Sequence, residues 1–127
     1  MDREALVDAY WRHHCDATSQ TRTDRVHSDE TRWAWEEVER SVDRGDADVV
    51  DLLCALAAAA PDDGALASLG AGPVEGLLAT HAARFGEVVD AAARTDDRFR
   101  TALRCAWYDD KVDAELATRL RRFGQPL

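Results

Sequence analysis

A chain of 127 residues holds one hydrophobic core and is too short for two ordinary domains, and a 46% hydrophobic content sets it apart from disordered chains. No run approaches the roughly 18 uninterrupted apolar residues of a membrane span, and Met1-Asp-Arg-Glu-Ala5 lacks the basic-then-hydrophobic pattern of a secretory leader, so the expectation is a cytoplasmic protein with no membrane contact. A net charge of -9 disfavours phosphate neutralisation on a nucleic acid and favours a protein partner with a basic surface; the one basic patch is local, at Arg119, Arg121 and Arg122.

The first helix is predicted to begin after Asp2 and run to about Cys15, placing Leu6, Val7, Tyr10, Trp11 and His14 on one aromatic-rich face. From Asp16 to His27 the chain is polar, with Val26 as its single strong apolar residue, which predicts a loop around 16–28. Ser28 or Asp29 then caps a second helix whose inner side is Trp35, Val38 and Val42, while Arg32, Glu36 and Arg40 have the spacing of exposed ion pairs. Gly45 ends it. Asp46 caps a third helix in which Val49, Val50, Leu52, Leu53 and Leu56 leave little polar face, so it belongs at the centre; Pro61 stops it.

Asp62 starts a short helix that leads into a corner. There Gly70 suits a left-handed terminus, Gly72 an N-cap, Pro73 the first position of a new helix, and Glu75 the third, where it reaches back to the cap. Val74, Leu77, Leu78 and His81 follow along one side. Another helix carries Phe85, Val88, Val89 and Ala92. Asp96 caps one with Phe99, Leu103, Ala106 and Trp107 inside, and a last helix holds Val112, Leu116, Leu120 and Phe123 and stops near Gly124.

No alternating strand pattern competes. The fold expected is all-α, a compact single-domain bundle of about seven or eight helices over residues 1–127. An echo between Ala60–Leu69 and Arg94–Leu103 hints at stacked helical hairpins.

Gly70-Ala-Gly-Pro-Val-Glu-Gly-Leu-Leu78 with His81, followed by Phe99-Arg-Thr-Ala-Leu103 and Trp107, resembles a small helical bacterial domain family of unknown function. The hallmark of that family is an Ala-Gly-Pro-Leu-Glu corner, a Leu-Leu-x-x-His run and a Phe-Arg-x-x-Leu-x-x-x-Trp helix. Val74 stands here where the family usually has leucine. The resemblance covers the central and C-terminal half and implies a helical fold without an assigned activity.

Few residues carry a chemical signature. His13, His14, Cys15 and His27 are the only clustered metal-ligand types, but adjacent ligands on one helix diverge and no Cys-x-x-Cys or His-Glu-x-x-His spacing is present, so neither metal nor cofactor is expected. Cys15, Cys54 and Cys105 are far apart and read as buried free thiols. Ser19, Ser28, Ser41 and Ser68 lack a nucleophile elbow, and Lys111 is the sole lysine, outside any phosphate loop. No catalytic residue is assigned.

Trp33 and Trp35 lie about 200 degrees apart around a helix, so both cannot face one core. Trp33, beside Glu36 and Glu37, is the surface anchor expected to meet a partner. The leading expectation is therefore an acidic protein-interaction module with an immunity, antitoxin-like or accessory role. The alternatives are an enzyme or ligand-binding protein with an interhelical site at Glu75, His81 and His14, and a purely structural homo-oligomeric subunit.

Overall fold

The computed structural model describes residues 2–18, 21, 23 and 28–124. Among them run α1 (Arg3–Ala17), a 3-10 turn (Ser28–Glu30), α2 (Arg32–Arg44), α3 (Val49–Ala59), α4 (Asp63–Leu69), a π-helical turn (Gly70–Val74), α5 (Glu75–Thr95), α6 (Asp97–Leu103) and α7 (Ala114–Arg121). The fold is all-α, and no strand occurs among the described residues. Because the π turn joins α4 to α5 without a break, the described chain forms six helical rods rather than seven or eight. No helix among the described residues is long and apolar enough to cross a membrane. The predicted 16–28 loop lies largely outside the described residues, and α1 takes its first two positions.

Aspartates start four of the helices. The carboxylates of Asp2, Asp62, Asp96 and Asp113 accept from the backbone N–H of Glu4, Ala65, Phe99 and Leu116 at 3.2, 2.8, 3.0 and 2.8 Å, occupying amides that have no partner within the helix. The echo noticed in the sequence corresponds to two of these starts, since Asp62 and Asp96 each open a seven-residue helix and the two helices pack together. Two expected caps fall elsewhere. Thr31, not Ser28 or Asp29, stands at the N-cap of α2; its hydroxyl donates to the Ser28 carbonyl at 3.3 Å rather than capping the helix, and Asp29 is held by Arg32 at 2.6 Å. Asp46 precedes the α3 cap, Asp48, and its carboxylate accepts from Ser41 and Arg44 instead.

Helix α3 is central as expected. Val49, Leu53, Leu56 and Ala57 are wholly buried, and α1, α4, α5 and α6 all pack on it. Its C-terminal carbonyls find donors outside the helix: the Arg98 guanidinium donates to Ala57 and Ala60 at 2.7 Å each, and the Trp11 indole donates to Leu56 at 2.9 Å. At the other end of the bundle, α7 is tied down by Asp90, 1% exposed, whose oxygens accept from Arg119 at 2.8 Å and Arg122 at 2.6 Å with Arg94 at 3.4 Å.

Three aromatic and thiol expectations change. Trp35 is 41% exposed because Ala34, Val38, Ser41 and Val42 form the inner stripe of α2. Trp107 is 54% exposed because α6 stops at Leu103, breaking the helical register that would have turned it inward; Tyr108 takes the buried place. Cys15 is exposed because the buried stripe of α1 ends at Trp11, and Cys54 and Cys105 are only half-buried; all three thiols are free.

The corner also has a different construction. Gly70 has φ -65° and ψ -49°, so it is right-handed helix, and Gly72 caps nothing. A proline inside an α-helix clashes with the carbonyl four residues back and removes a donor. Widening the turn accommodates Pro73, with the Glu75 N–H reaching Gly70 O five residues back. Glycine is needed at 70 for a different reason: a Cβ there would lie 1.8 Å from the Ala102 carbonyl oxygen of α6. The true kink comes later, at His81 (φ -134°, ψ 31°) in the middle of α5.

Candidate functional site

Helix α2 carries most of the candidate chemistry, and its period sorts it into three strips. Ala34, Val38 and Val42 face the core. Trp33, Glu36 and Glu37 occupy one flank, with Trp33 41% exposed and Glu36 exposed. Glu37 is engaged already, accepting from Arg40 at 3.1 Å with Arg44 at 3.6 Å, so the predicted anchor retains one unpaired carboxylate rather than two.

The opposite flank carries Trp35, Glu39 and Asp43 at four-residue intervals, and it borders an open cavity of about 360 Å³ lined mainly by α1, α2 and the corner around the π turn. From α1 come Tyr10, His13 and His14; from the corner come Gly72, Pro73 and Gly76. Ring contacts fix the α1 side. His14 stands edge-on to Trp11 at 5.5 Å, and His13 lies 6.4 Å from Trp35 with its Nδ1–H donating to the Ser28 carbonyl at 2.8 Å. That bond leaves Nε2 of a neutral His13 as an acceptor.

The electrostatics of this space are acidic. Burial, together with the neighbouring charges of Asp43 and Glu36, raises the Glu39 carboxyl above its ordinary range. Burial and the Glu39 charge push the Tyr10 hydroxyl up to about 12. Neither Glu39 nor Asp43 has a cation partner among the described residues.

The three residues expected to share a pocket do not converge. His14 lines the cavity, but Glu75 turns away and accepts from the Trp107 N–H at 2.6 Å, with Lys111 4.0 Å from its other oxygen. Because the helix continues through the corner, Glu75 has no free N-terminus to cap, and its carboxylate instead pins the chain that follows α6. His81 serves α2: the kink swings its ring over Gly45, and Nε2–H donates to the Asp43 carbonyl at 2.9 Å, one of the four carbonyls that α2 leaves unpaired. Gly45, at φ 65°, supplies both the left-handed terminus and the room for that ring. No group of three or more histidine, cysteine or acidic side chains suited to a metal occurs among the described residues.

Sequence reasoning missed Tyr10, Glu39 and Asp43 as site residues. The signal was the series Trp35, Glu39, Asp43 at i, i+4, i+8. Placing Trp35 in the core concealed it.

Residues 20–125 match the model of a family of unknown function, DUF6869, and the chain belongs to that family. No curated protein and no solved structure matches the chain.

Proposed function

We propose that this member of a family of unknown function is a non-catalytic binding module whose partner is a protein with a basic surface. The observation that carries this reading is the solvent side of α2, where Trp33 and Trp35 are each 41% exposed beside carboxylates, Glu36, Glu39 and Asp43, that no cation of the described chain meets. Tryptophan buries more area than most side chains when a partner covers it and is enriched among residues that dominate binding energy. An acidic rim around it steers basic partners and raises their association rate. An immunity, antitoxin-like or accessory role in a bacterium fits such a surface.

The test is capture of protein from the host's own lysate on immobilised wild type and on a variant carrying Trp33→Ala, Glu36→Gln and Glu37→Gln, with circular dichroism confirming that the fold is kept. Basic proteins retained by the wild type and released by the variant support the reading. Equal retention by both removes Trp33, Glu36 and Glu37 from the interface.

The cavity favours a second reading, a small-ligand site. Its volume is at the low end of ligand pockets, about 300–1,000 Å³, and its lining is centred on Tyr10, Trp35 and His14 rather than on Glu75 and His81.

A further inference from the structure

We infer that the cavity between α1, α2 and the π turn is a receptor for an alkylammonium group, whose apolar stem lies along Trp35, Val42 and Pro73 while its charged head meets Glu39, Asp43 and the Tyr10 hydroxyl. This rests on the small-ligand reading and names the chemistry of its ligand. Tyr10 is the decisive residue. It is 6% exposed, yet its hydroxyl makes no hydrogen bond among the described residues. No fully enclosed side-chain oxygen or nitrogen lacks a partner there, so this unpaired hydroxyl opens onto the cavity that Tyr10 lines. Open to the cavity rather than sealed in, the hydroxyl is available to accept from a ligand donor.

The sign of the ligand follows from its surroundings. Two carboxylates on one helix face, four residues apart and without a cation, repel each other and attract a positive head. Glu39 and Tyr10 line the same cavity, where burial and then the Glu39 charge raise the hydroxyl. Trp35 adds an indole to the lining, and indole is the aromatic ring that attracts cations best. His13 also lines the cavity, its Nδ1–H donating to Ser28. An anion would face two carboxylates here, and a neutral apolar ligand would leave the polar groups of Glu39, Asp43 and Tyr10 unanswered.

The chemistry is shared by a free amine and by the lysine side chain of a protein, and the experiment separates them. The full chain is titrated with n-pentylammonium chloride at pH 7 while the tryptophan indole N–H signals are followed by NMR, with n-pentanol and n-pentanoate as neutral and anionic matches. The expected result is a saturable shift of the Trp35 indole signal with the ammonium and at least tenfold weaker binding of both matches. Glu39→Gln with Asp43→Asn, both at exposed positions, should weaken the ammonium at least tenfold. Gly72→Leu should block it by filling open space at the cavity wall, where an added Cβ meets nothing within 4 Å.

Pentanol binding as well as pentylammonium, or the carboxylate variant binding undiminished, overturns the charge assignment while leaving a ligand cavity standing. Failure of all three compounds to shift Trp35 overturns both. In the last arm, equal binding of Nα-acetyl-lysine methylamide supports a lysine side chain as the source, and binding confined to pentylammonium supports a free amine.

Discussion

Alanine at Gly70 and alanine at Gly72 should have opposite effects, and the pair tests how the corner is built. At position 70 a Cβ would stand 1.8 Å from the Ala102 carbonyl oxygen and 2.8 Å from its carbon, against the 3.0 Å below which real contacts essentially never fall. Ala102 is wholly buried in α6, and its carbonyl is backbone, so no side-chain rotation relieves the overlap. The two helices must part by about 1 Å, which a densely packed interior resists. Overpacking typically costs 1–3 kcal/mol, and a backbone collision belongs at the upper end, about 3 kcal/mol. The better helix propensity of alanine offsets at most about 1 kcal/mol of this.

The net loss for Gly70→Ala should be about 2 kcal/mol or more, or about 10 °C in melting temperature for a chain of this size. Position 72 is helical, has an ordinary φ, and offers a Cβ nothing within 4 Å. Gly72→Ala should therefore gain about 0.5–1 kcal/mol. Urea unfolding followed by circular dichroism, with the slope compared between variants, measures both. A neutral Gly70→Ala, or a Gly72→Ala that loses more than Gly70→Ala does, would refute the packed π turn and restore a broken, capped corner.

Removing the charge of Asp90 leaves three arginines facing a neutral group, so Asp90→Asn should cost about 2–3 kcal/mol, below the full cost of breaking a buried pair because those arginines are partly solvated. Burial raises the Asp90 carboxyl, but hydrogen bonds from Arg119 and Arg122 and the charges of Arg122 and Arg94 outweigh it, and the folded value lies below the ordinary one. Its contribution is then complete above the unfolded value of about 3.9 and disappears as pH falls through the folded value. Acid unfolding should accordingly be less steep below about pH 4 in Asp90→Asn than in the wild type; equal slopes would assign the acid sensitivity to other carboxylates. Glu75→Ala should cost about 2 kcal/mol by stripping the acceptor from the Trp107 amide, whereas Glu75→Gln, which keeps an acceptor, should cost under about 1 kcal/mol. Faster hydrogen exchange at the Trp107 amide in the alanine variant alone is the accompanying sign. Iodoacetamide at pH 8 should modify exposed Cys15 while sparing Cys54, whose thiol burial and the charges of Asp96 and Asp51 push up to about 11; equal labelling by mass spectrometry would contradict the half-buried position.

What could be read from the sequence was what neighbouring residues decide. Asp2, Asp62 and Asp96 announce helix starts because a cap needs only a carboxylate and the amides two or three residues on, and Gly45 announces an end because a left-handed terminus is a property of one residue. Gly70 was misread because glycine serves two purposes that look the same in sequence: φ freedom, and the absence of a side chain where another backbone passes. The second depends on Ala102, 32 positions away. Trp107 failed for a similar reason. Its spacing from Leu103 fits a helix, and nothing local says that α6 stops before it. The pocket attributed to Glu75, His81 and His14 joined unusual residues by type, whereas the chain uses Glu75 and His81 to bind backbone across elements.

Those two backbone bonds also account for the position of the cavity. Glu75 holds the segment after α6 to the start of α5, and Gly70 lets α6 approach from the same side, so the π turn is fixed from its inner face. His81 fixes α5 to the end of α2 two turns later. Between these attachments the outer face of the turn presents Gly72, Pro73 and Gly76, which have little or no side chain with which to fill the angle between α1 and α2. At Gly72 an added Cβ would meet open space, and at Gly76 it would meet only Val42 at 3.7 Å. Glycine is therefore required for packing at 70 but not at 72, where its presence keeps the cavity open. Open space at Gly72 therefore adjoins the Tyr10, His14 and Trp35 side chains that line the same cavity.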